Sequence, residues 1–396
     1  MIVSNGRGDL ARRLTGLNST QSDFSPVWAL GFMSGTSLDA VDAAMILTDG
    51  ERVLEFGPTA ERTYTDQERT VLADAVGAAR NWNWEGAEPV SCFQRACEVL
   101  TSTHEAAFQD ILRQCDGDSK PEVVGIHGQT VLHRAPGRSV PGRTLQLLDQ
   151  KNIAERFGLP IVFDFRTDDV AAGGQGAPLA PVYHQALCAD RNKPVAVLNL
   201  GGVANLTLVS DTMILQGFDC GPANGPVDEW VERHKQGRYD RDGGFARSGS
   251  IDEARIAAWL NSDWFDQPLP KSLDRYDYNA DLAEGLNFAD GCATLTAFSA
   301  AAVAKGLSAF SESVREVVVC GGGRHNPFLM EQLEARCGVP IRTAEDAGWR
   351  GDSIEAEAFA LLAVRHLRNL PISFPGTTGV RAPMTGGRTQ YPVNVG

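Results

Sequence analysis

The sequence predicts a mixed α/β protein built from two lobes of similar plan. Three strand patterns followed by alternating helix and strand patterns occur twice along the chain. Each set opens on a strand–turn–strand unit with a small-residue turn, Ser34-Gly35-Thr36-Ser37 in the first and Gly201-Gly202 in the second. The length of 396 residues exceeds one ordinary core and suits two or three domains.

Residues 1–26 mix Gly, Arg, Asp, Asn, Ser and Gln and read as a poorly packed extension without the apolar stretch of a signal peptide. Gly6-Arg-Gly-Asp-Leu-Ala11 matches G-x-G-x-x-A, but no βαβ unit surrounds it, so it is rejected as a dinucleotide fingerprint. The first lobe, residues 27–165, starts with strands over 28–34, 40–48 and 51–57, where apolar residues run together or alternate. Helical periodicity follows over 65–80 and 90–115. A strand at 123–126 ends in His127-Gly128-Gln129-Thr130, and a short strand near 144–148, a helix at 149–157 and a buried strand at Ile161-Val162-Phe163 complete the lobe. The second lobe, 166–380, repeats the plan with strands at 194–200, 203–209 and 212–218. Helices are expected near 223–236, 251–262, 291–313, 326–337 and 353–369, with strands at 316–320 and 340–342. The tail, 381–396, is expected to return to the first lobe.

A formal net charge of −14 argues against nucleic acid or anionic membranes as main partners, while glycine turns and local arginines leave anionic small molecules open. No run of some 18 apolar residues is present to span a membrane. Eight scattered cysteines contain no C-x-x-C pair, which excludes the usual zinc spacing and a dense disulfide framework and points to a reducing cytoplasm. Walker A, G-x-S-x-G and H-E-x-x-H patterns are absent.

The chemistry sits in turns. A turn of glycine and hydroxyl residues offers N–H and O–H groups to an anion, and Asp39 and Asp42 beside it can hold a hydrated Mg²⁺. The pattern suggests phosphate binding without a P-loop. In Gln216-Gly-Phe-Asp-Cys-Gly-Pro222 an apolar strand delivers Asp219 at its end, where α/β enzymes place a general base; the competing role is a cap for the next helix. Gly321-Gly322-Gly323 lets a flat group lie on the backbone, and Asn326 can cap the helix that follows. Ala171 to Pro178 lacks side-chain bulk, which suits close approach of a ligand. Arg238 to Gly244 reads as a polar loop, with contact to a cleft as the lesser option. Ser353 resembles a helix N-cap, and one of Glu355 and Glu357 is expected in a structural first-turn role.

Five motifs, Ser34–Asp42, Gly125–Thr130, Ala171–Pro178, Gly217–Pro222 and Cys320–Gly323, occur together in this order. On them the chain, from about residue 28 onward, resembles the anhydro-N-acetylmuramic acid kinase family. The resemblance implies the two-lobed actin-like ATPase fold, with ATP in an interlobe cleft. It also implies hydrolytic opening of 1,6-anhydro-N-acetylmuramic acid coupled to phosphorylation of its 6-oxygen, using ATP and Mg²⁺. By resemblance the phosphates fall to Gly35, Thr36, Ser37, Leu38, Asp39, Ala40, Val41 and Asp42 and to Gly201, Gly202 and Asn205. Gly321, Gly322, Gly323 and Asn326 lie against adenosine, and Asp39 meets Mg²⁺ through water. Asp219 is the base for water, Glu355 helps position it, and His127, Gln129, Thr130, Arg166, Gly174 and Gln175 frame the sugar. A homodimer is likewise implied. Ala223-Asn224-Gly225-Pro226 departs from the usual family pattern. Two alternatives stay open on sequence alone: a sugar kinase with another acceptor, and a nucleotide-binding switch without transfer activity.

Overall fold

The computed structural model describes residues 24–117, 119–137, 140–212, 215–274 and 277–393. The expected 1–26 extension, with its glycine motif, thus lies almost wholly outside the described residues. In chain order the elements are β1 (Val27–Ser34), β2 (Ala40–Thr48), β3 (Val53–Thr63), α1 (Asp66–Trp82), α2 (Val90–Gln114), β4 (Val123–Ile126), β5 (Gln129–Arg134), β6 (Arg143–Leu147), α3 (Gln150–Phe157), β7 (Ile161–Phe163), α4 (Thr167–Ala171) and α5 (Pro181–Leu187). There follow β8 (Val195–Leu200), β9 (Val203–Val209), β10 (Gln216–Pro222), α6 (Gly225–Arg233), α7 (Gly244–Ser248), α8 (Glu253–Leu260), α9 (Phe288–Ser308), β11 (Glu316–Cys320), α10 (Pro327–Cys337), β12 (Ile341–Thr343), α11 (Ile354–Leu367) and β13 (Arg388–Gln390).

Two compact units result. One comprises the residues up to Leu187 with those from Ser353 onward; the other is Cys188–Asp352. The boundaries differ from those expected, because residues 166–187 and α11 join the first unit rather than the second.

The sheet of the first unit has the order β13-β7-β4-β1-β2-β3 and that of the second β10-β9-β8-β11-β12. In both, an antiparallel three-strand meander supplies one side, and its first strand pairs in parallel with the later strands. The order β3-β2-β1-β4-β7 thus matches β10-β9-β8-β11-β12, and the first sheet adds β13, antiparallel to β7. The central parallel strands are buried throughout, as sheets covered on both faces require: all of β4, and Val317 to Cys320 of β11.

Glycine decides how α11 meets its sheet. Gly31 and Gly125 are register partners on β1 and β4. A Cβ on Gly31 would overlap the carbonyl oxygen of Ala356 and lie 2.5 Å from the Ala360 nitrogen, and one on Gly125 would overlap the carbonyl oxygen of Phe359. The bare strand surface therefore seats the helix backbone directly, and this draws α11 into the first unit. The same device operates in the second unit. There a Cβ on Gly221 would stand 2.5 Å from Cβ of Ala302 on α9, and one on Gly306 of α9 would stand 2.6 Å from Cβ of Cys220.

Most element ends follow from local chemistry. Thr65 and Glu68 form a reciprocal capping box at α1. Asp149 and Asn326 cap α3 and α10, and Gly158 and Gly338 end those helices in the left-handed conformation. Three expectations change. Residues 129–134, to which the sequence pattern assigns no strand of their own, form β5, paired with β6 in a separate two-stranded sheet. The strand carrying Asp219 runs on to Pro222. Ser353 occupies the N-cap position of α11 but makes no side-chain cap bond. All eight cysteines are free thiols. Among the described residues no helix is long and apolar enough to cross a membrane.

Candidate active site

In the first unit the ends of β1, β4 and β7 supply the turn after Ser34, His127 and Asp164. The turn at 35–39 is braced from three directions. Leu38 donates its N–H to Gly35 O at 3.3 Å, the Gln129 amide donates to Gly35 O at 3.2 Å, and Arg69 Nε donates to Leu38 O at 3.1 Å. Leu38 adopts φ 57, a costly left-handed conformation for a bulky residue, stabilised by the burial of its side chain in the core. Thr36, Ser37 and Asp39 remain exposed, whereas Val41 is a core residue of β2. Gln129, expected against sugar, is buried and serves as a brace of the 35–39 turn.

Behind this turn lies a polar chain. Arg166 donates Nε–H to His127 Nε2 at 2.8 Å and Nη1–H to Gly176 O at 2.5 Å. Accepting at Nε2 places the imidazole proton on Nδ1. Burial, and then the adjacent guanidinium, hold His127 well below the usual histidine range, so it is neutral. Burial also pushes Arg166 down to about 10, against the opposing pull of Glu355 and Asp169, which leaves it cationic at neutral pH. Glu355, in the first turn of α11, is exposed, while Glu357 is buried and accepts from the Tyr183 hydroxyl. The structural role expected for one of the two acids belongs to Glu357. A cavity of about 160 Å³ reaches His127 between Thr144, Gln146, Asp164 and Thr167.

Gly174 and Gln175 sit in a loop whose small residues have an internal cause. A Cβ on Gly174 would overlap Asp169 Oδ1, and one on Gly176, at φ 73, would lie 2.7 Å from Cγ2 of Val170. Missing bulk at these two positions thus reflects packing. Asp169 was not singled out in the sequence: Thr167-Asp168-Asp169 gives no local sign of which acid is buried.

In the second unit Asp219 and Asn205 are register partners on β10 and β9, and Asn205 Nδ2 donates to Asp219 Oδ1 at 2.9 Å. Directly opposed residues of an antiparallel pair share a face, which brings these two side chains together. Oδ2 accepts the Leu273 N–H at 2.8 Å. A register shift between Asp219 and Gly221 marks the spot, so Asp219 stands at a bulge inside the strand and not at its end. Its carboxyl is partly buried, and burial raises its pKa above the usual value while the two donors pull it back.

The Gly201-Gly202 turn is stitched to the start of α6. Its carbonyls accept from Ala223 N at 3.1 Å, Asn224 N at 3.0 Å and Gly225 N at 3.1 Å, and Asn224 Nδ2 donates to Gly201 O at 3.0 Å. The 223–226 segment thereby has a structural task, holding this turn. Nothing lies within 4 Å of where a Cβ of Gly202 would stand.

Gly321 precedes a 3-10 turn at Gly322–His325, and the three glycines at 321–323 divide by role. Gly321 takes φ 76, a Cβ there would overlap Asn199 Oδ1, and one on Gly323 would lie 2.6 Å from Leu200 Cβ. Only Gly322 is open. It lines a cavity of about 450 Å³ together with Asn224, Asp228, Tyr239, Asp240, Asp242 and Asn326. The 238–244 loop therefore forms part of this wall. Asp240 itself is committed to capping α7, accepting from Phe245 N at 2.8 Å and Ala246 N at 2.9 Å. Asn326 caps α10 through Leu329 N at 3.1 Å. Among the described residues no group of three or more His, Cys, Asp or Glu converges to hold a metal.

Relatives agree with the motifs. The chain is 51% identical over 366 residues to an anhydro-N-acetylmuramic acid kinase of Phenylobacterium zucineum (strain HLK1), covering 92% of this chain and 99% of that protein. It is 50% identical over 362 residues to the one from Caulobacter vibrioides (strain ATCC 19089 / CIP 103742 / CB 15), covering 91% and 97%. Among solved structures, the activator of the 2-hydroxyisocaproyl-CoA dehydratase from Clostridium difficile with bound ADPNP aligns over 86% of this chain and 95% of that one, at 10% identity and a TM-score of 0.42. The model of the family described as anhydro-N-acetylmuramic acid kinase matches residues 27–392. This chain belongs to the anhydro-N-acetylmuramic acid kinase family, with two α/β units whose sheets share one strand plan.

Proposed function

We propose that this protein uses ATP to open 1,6-anhydro-N-acetylmuramic acid with water and to phosphorylate the freed 6-oxygen, releasing N-acetylmuramic acid 6-phosphate and ADP. The observation that carries the chemistry is Asp219. A carboxylate fixed by Asn205 and Leu273, partly buried and of raised pKa, is a stronger base than one in water. It takes the proton of the water that attacks the anomeric carbon, and Glu355 orients that water. The bridging oxygen leaves C1 and attacks the γ-phosphorus as ADP departs.

Phosphoryl transfer needs positioning and charge neutralisation above all. The 35–39 turn and the Gly201-Gly202 turn are assigned to the phosphates. The cavity beside Gly322 takes the nucleoside. Beside Arg241 its lining carries the carboxylates of Asp228 and Asp242, which can accept from ribose hydroxyls and base N–H groups. Arg166, cationic and braced by His127, faces the acidic sugar. The donor set fits a magnesium ion brought with the nucleotide, not one held by a protein cage: exposed Asp39 is the carboxylate for its water shell, and the ion would neutralise phosphate charge. We further propose a cytoplasmic homodimer, to be checked by light scattering on the purified protein.

The test is incubation with ATP, Mg²⁺ and purified anhydro-sugar in ¹⁸O-labelled water, with products read by mass. One labelled oxygen at C1 of the phosphorylated product supports the coupled reaction. Phosphorylation without it rejects the hydrolytic step and leaves a plain sugar kinase.

A further inference from the structure

The sugar loop is held from the far end of the chain. Asp169, on α4, is 2% exposed, and each of its carboxylate oxygens has a partner. Oδ1 accepts the Gly176 N–H at 2.6 Å, and Oδ2 accepts the hydroxyl of Thr378 at 2.5 Å. Thr378 is fully buried, and its carbonyl accepts the Gln175 N–H at 2.7 Å. Gly174 N donates to the Asp169 carbonyl at 2.9 Å. Three successive amides of the loop thus end on two residues. The next link is Gly176 O, which accepts from Arg166. Thr378 is itself fixed by a turn, its N–H donating to Phe374 O at 3.1 Å. The buried carboxylate also offsets the positive charge of Arg166.

We propose that Asp169 and Thr378 are a positioning pair for the acidic sugar: through Gly176 they set where the Arg166 guanidinium stands, making the C-terminal segment part of the sugar site. Neither residue need touch the sugar. The inference rests on the functional reading above for the identity of the ligand, but the mechanical link does not. Loss of the Thr378 hydroxyl leaves a buried carboxylate oxygen short of a donor, and the loop relaxes away from it. The nucleoside cavity beside Gly322 and the Gly201-Gly202 turn, both within residues 188–352, are left alone.

The experiment compares wild type with Thr378→Val, Thr378→Ser and Asp169→Asn. Thr378→Val keeps the shape and removes the donor. Its sugar KM should rise about tenfold or more, because small displacements of a binding group are costly, while the ADP affinity stays within about twofold. Hydrogen exchange at the amides of Gly174, Gln175 and Gly176 should speed up by about tenfold, since their acceptors are no longer fixed. Thr378→Ser should restore both. Asp169→Asn, which removes charge but not volume, should raise sugar KM even where Thr378→Val fails to fold. Unchanged exchange in Thr378→Val overturns the link whatever the activity. Faster exchange with an unchanged sugar KM shows a purely structural pair and also overturns the proposal. A wild-type protein that does not turn over the anhydro-sugar overturns the functional reading instead, while exchange still decides the link.

Discussion

Replacing Asp219 with asparagine separates chemistry from architecture. Asparagine keeps the volume, and its carbonyl can still accept from Asn205 Nδ2. The other end would present an NH₂ to the Leu273 N–H, now 2.8 Å from Oδ2, so one hydrogen bond is lost at about 1 kcal/mol. Removing a partly buried charge acts in the opposite direction. The folded state raises the pKa of this carboxyl, so its contribution to stability is present below the unfolded value and lost as pH rises through the folded one. Above the folded value the native state therefore carries an ionised group it disfavours. The unfolding temperature of Asp219→Asn should accordingly match or exceed that of wild type. Turnover should fall by about 10²–10⁴-fold, the span for loss of a general base, or roughly 3–5 kcal/mol of barrier. The assay is ADP release with the anhydro-sugar, alongside ADP titration to show an intact nucleotide site. Turnover within about threefold of wild type, with ADP binding retained, would refute the assignment of Asp219 as the base.

Three further outcomes are expected. Gly31→Ala puts a methyl against α11 that must move from 2.5 Å to ordinary contact with the Ala360 nitrogen; stability should drop by about 1–3 kcal/mol or more in urea titration, and activity should fall with it because Glu355 rides on that helix. Buried His104 and His184 are held down to about 4 and about 3 by desolvation, so their stability contribution is present above the unfolded value of 6.5 and lost as pH falls toward the folded ones. Urea midpoints should decline from pH 6.5 to 5, with each histidine adding at most about 1.4 kcal/mol per pH unit, and His104→Gln should flatten that slope. Asn326→Ala, which removes the α10 cap beside the 450 Å³ cavity, should cost about 1–2 kcal/mol by thermal unfolding and weaken ADP binding more than sugar binding.

Much of this protein is written locally. Apolar runs and alternation mark β1, β2, β4, β7, β8, β9 and β11, because a strand buried on one or both faces must carry that pattern. The repeated meander, the glycine turns and Asp219 are equally visible, since turns and strand edges draw on few residue types. Local pattern cannot say which face a residue meets. It could not distinguish glycines open to a ligand, such as Gly202 and Gly322, from Gly174, Gly321 and Gly323, whose missing side chains make room for the protein itself.

Tertiary structure alone decided the rest. It returned α11 to the first unit because Gly31 and Gly125 expose backbone that only a helix of small residues can approach. It made Gln129 a brace, placed Asp219 on a bulge opposite Asn205, and brought Thr378 to Asp169 across 209 residues. Such pairings carry no signature in sequence, because a hydrogen bond between distant residues depends on where two backbones end up and not on what surrounds either residue along the chain.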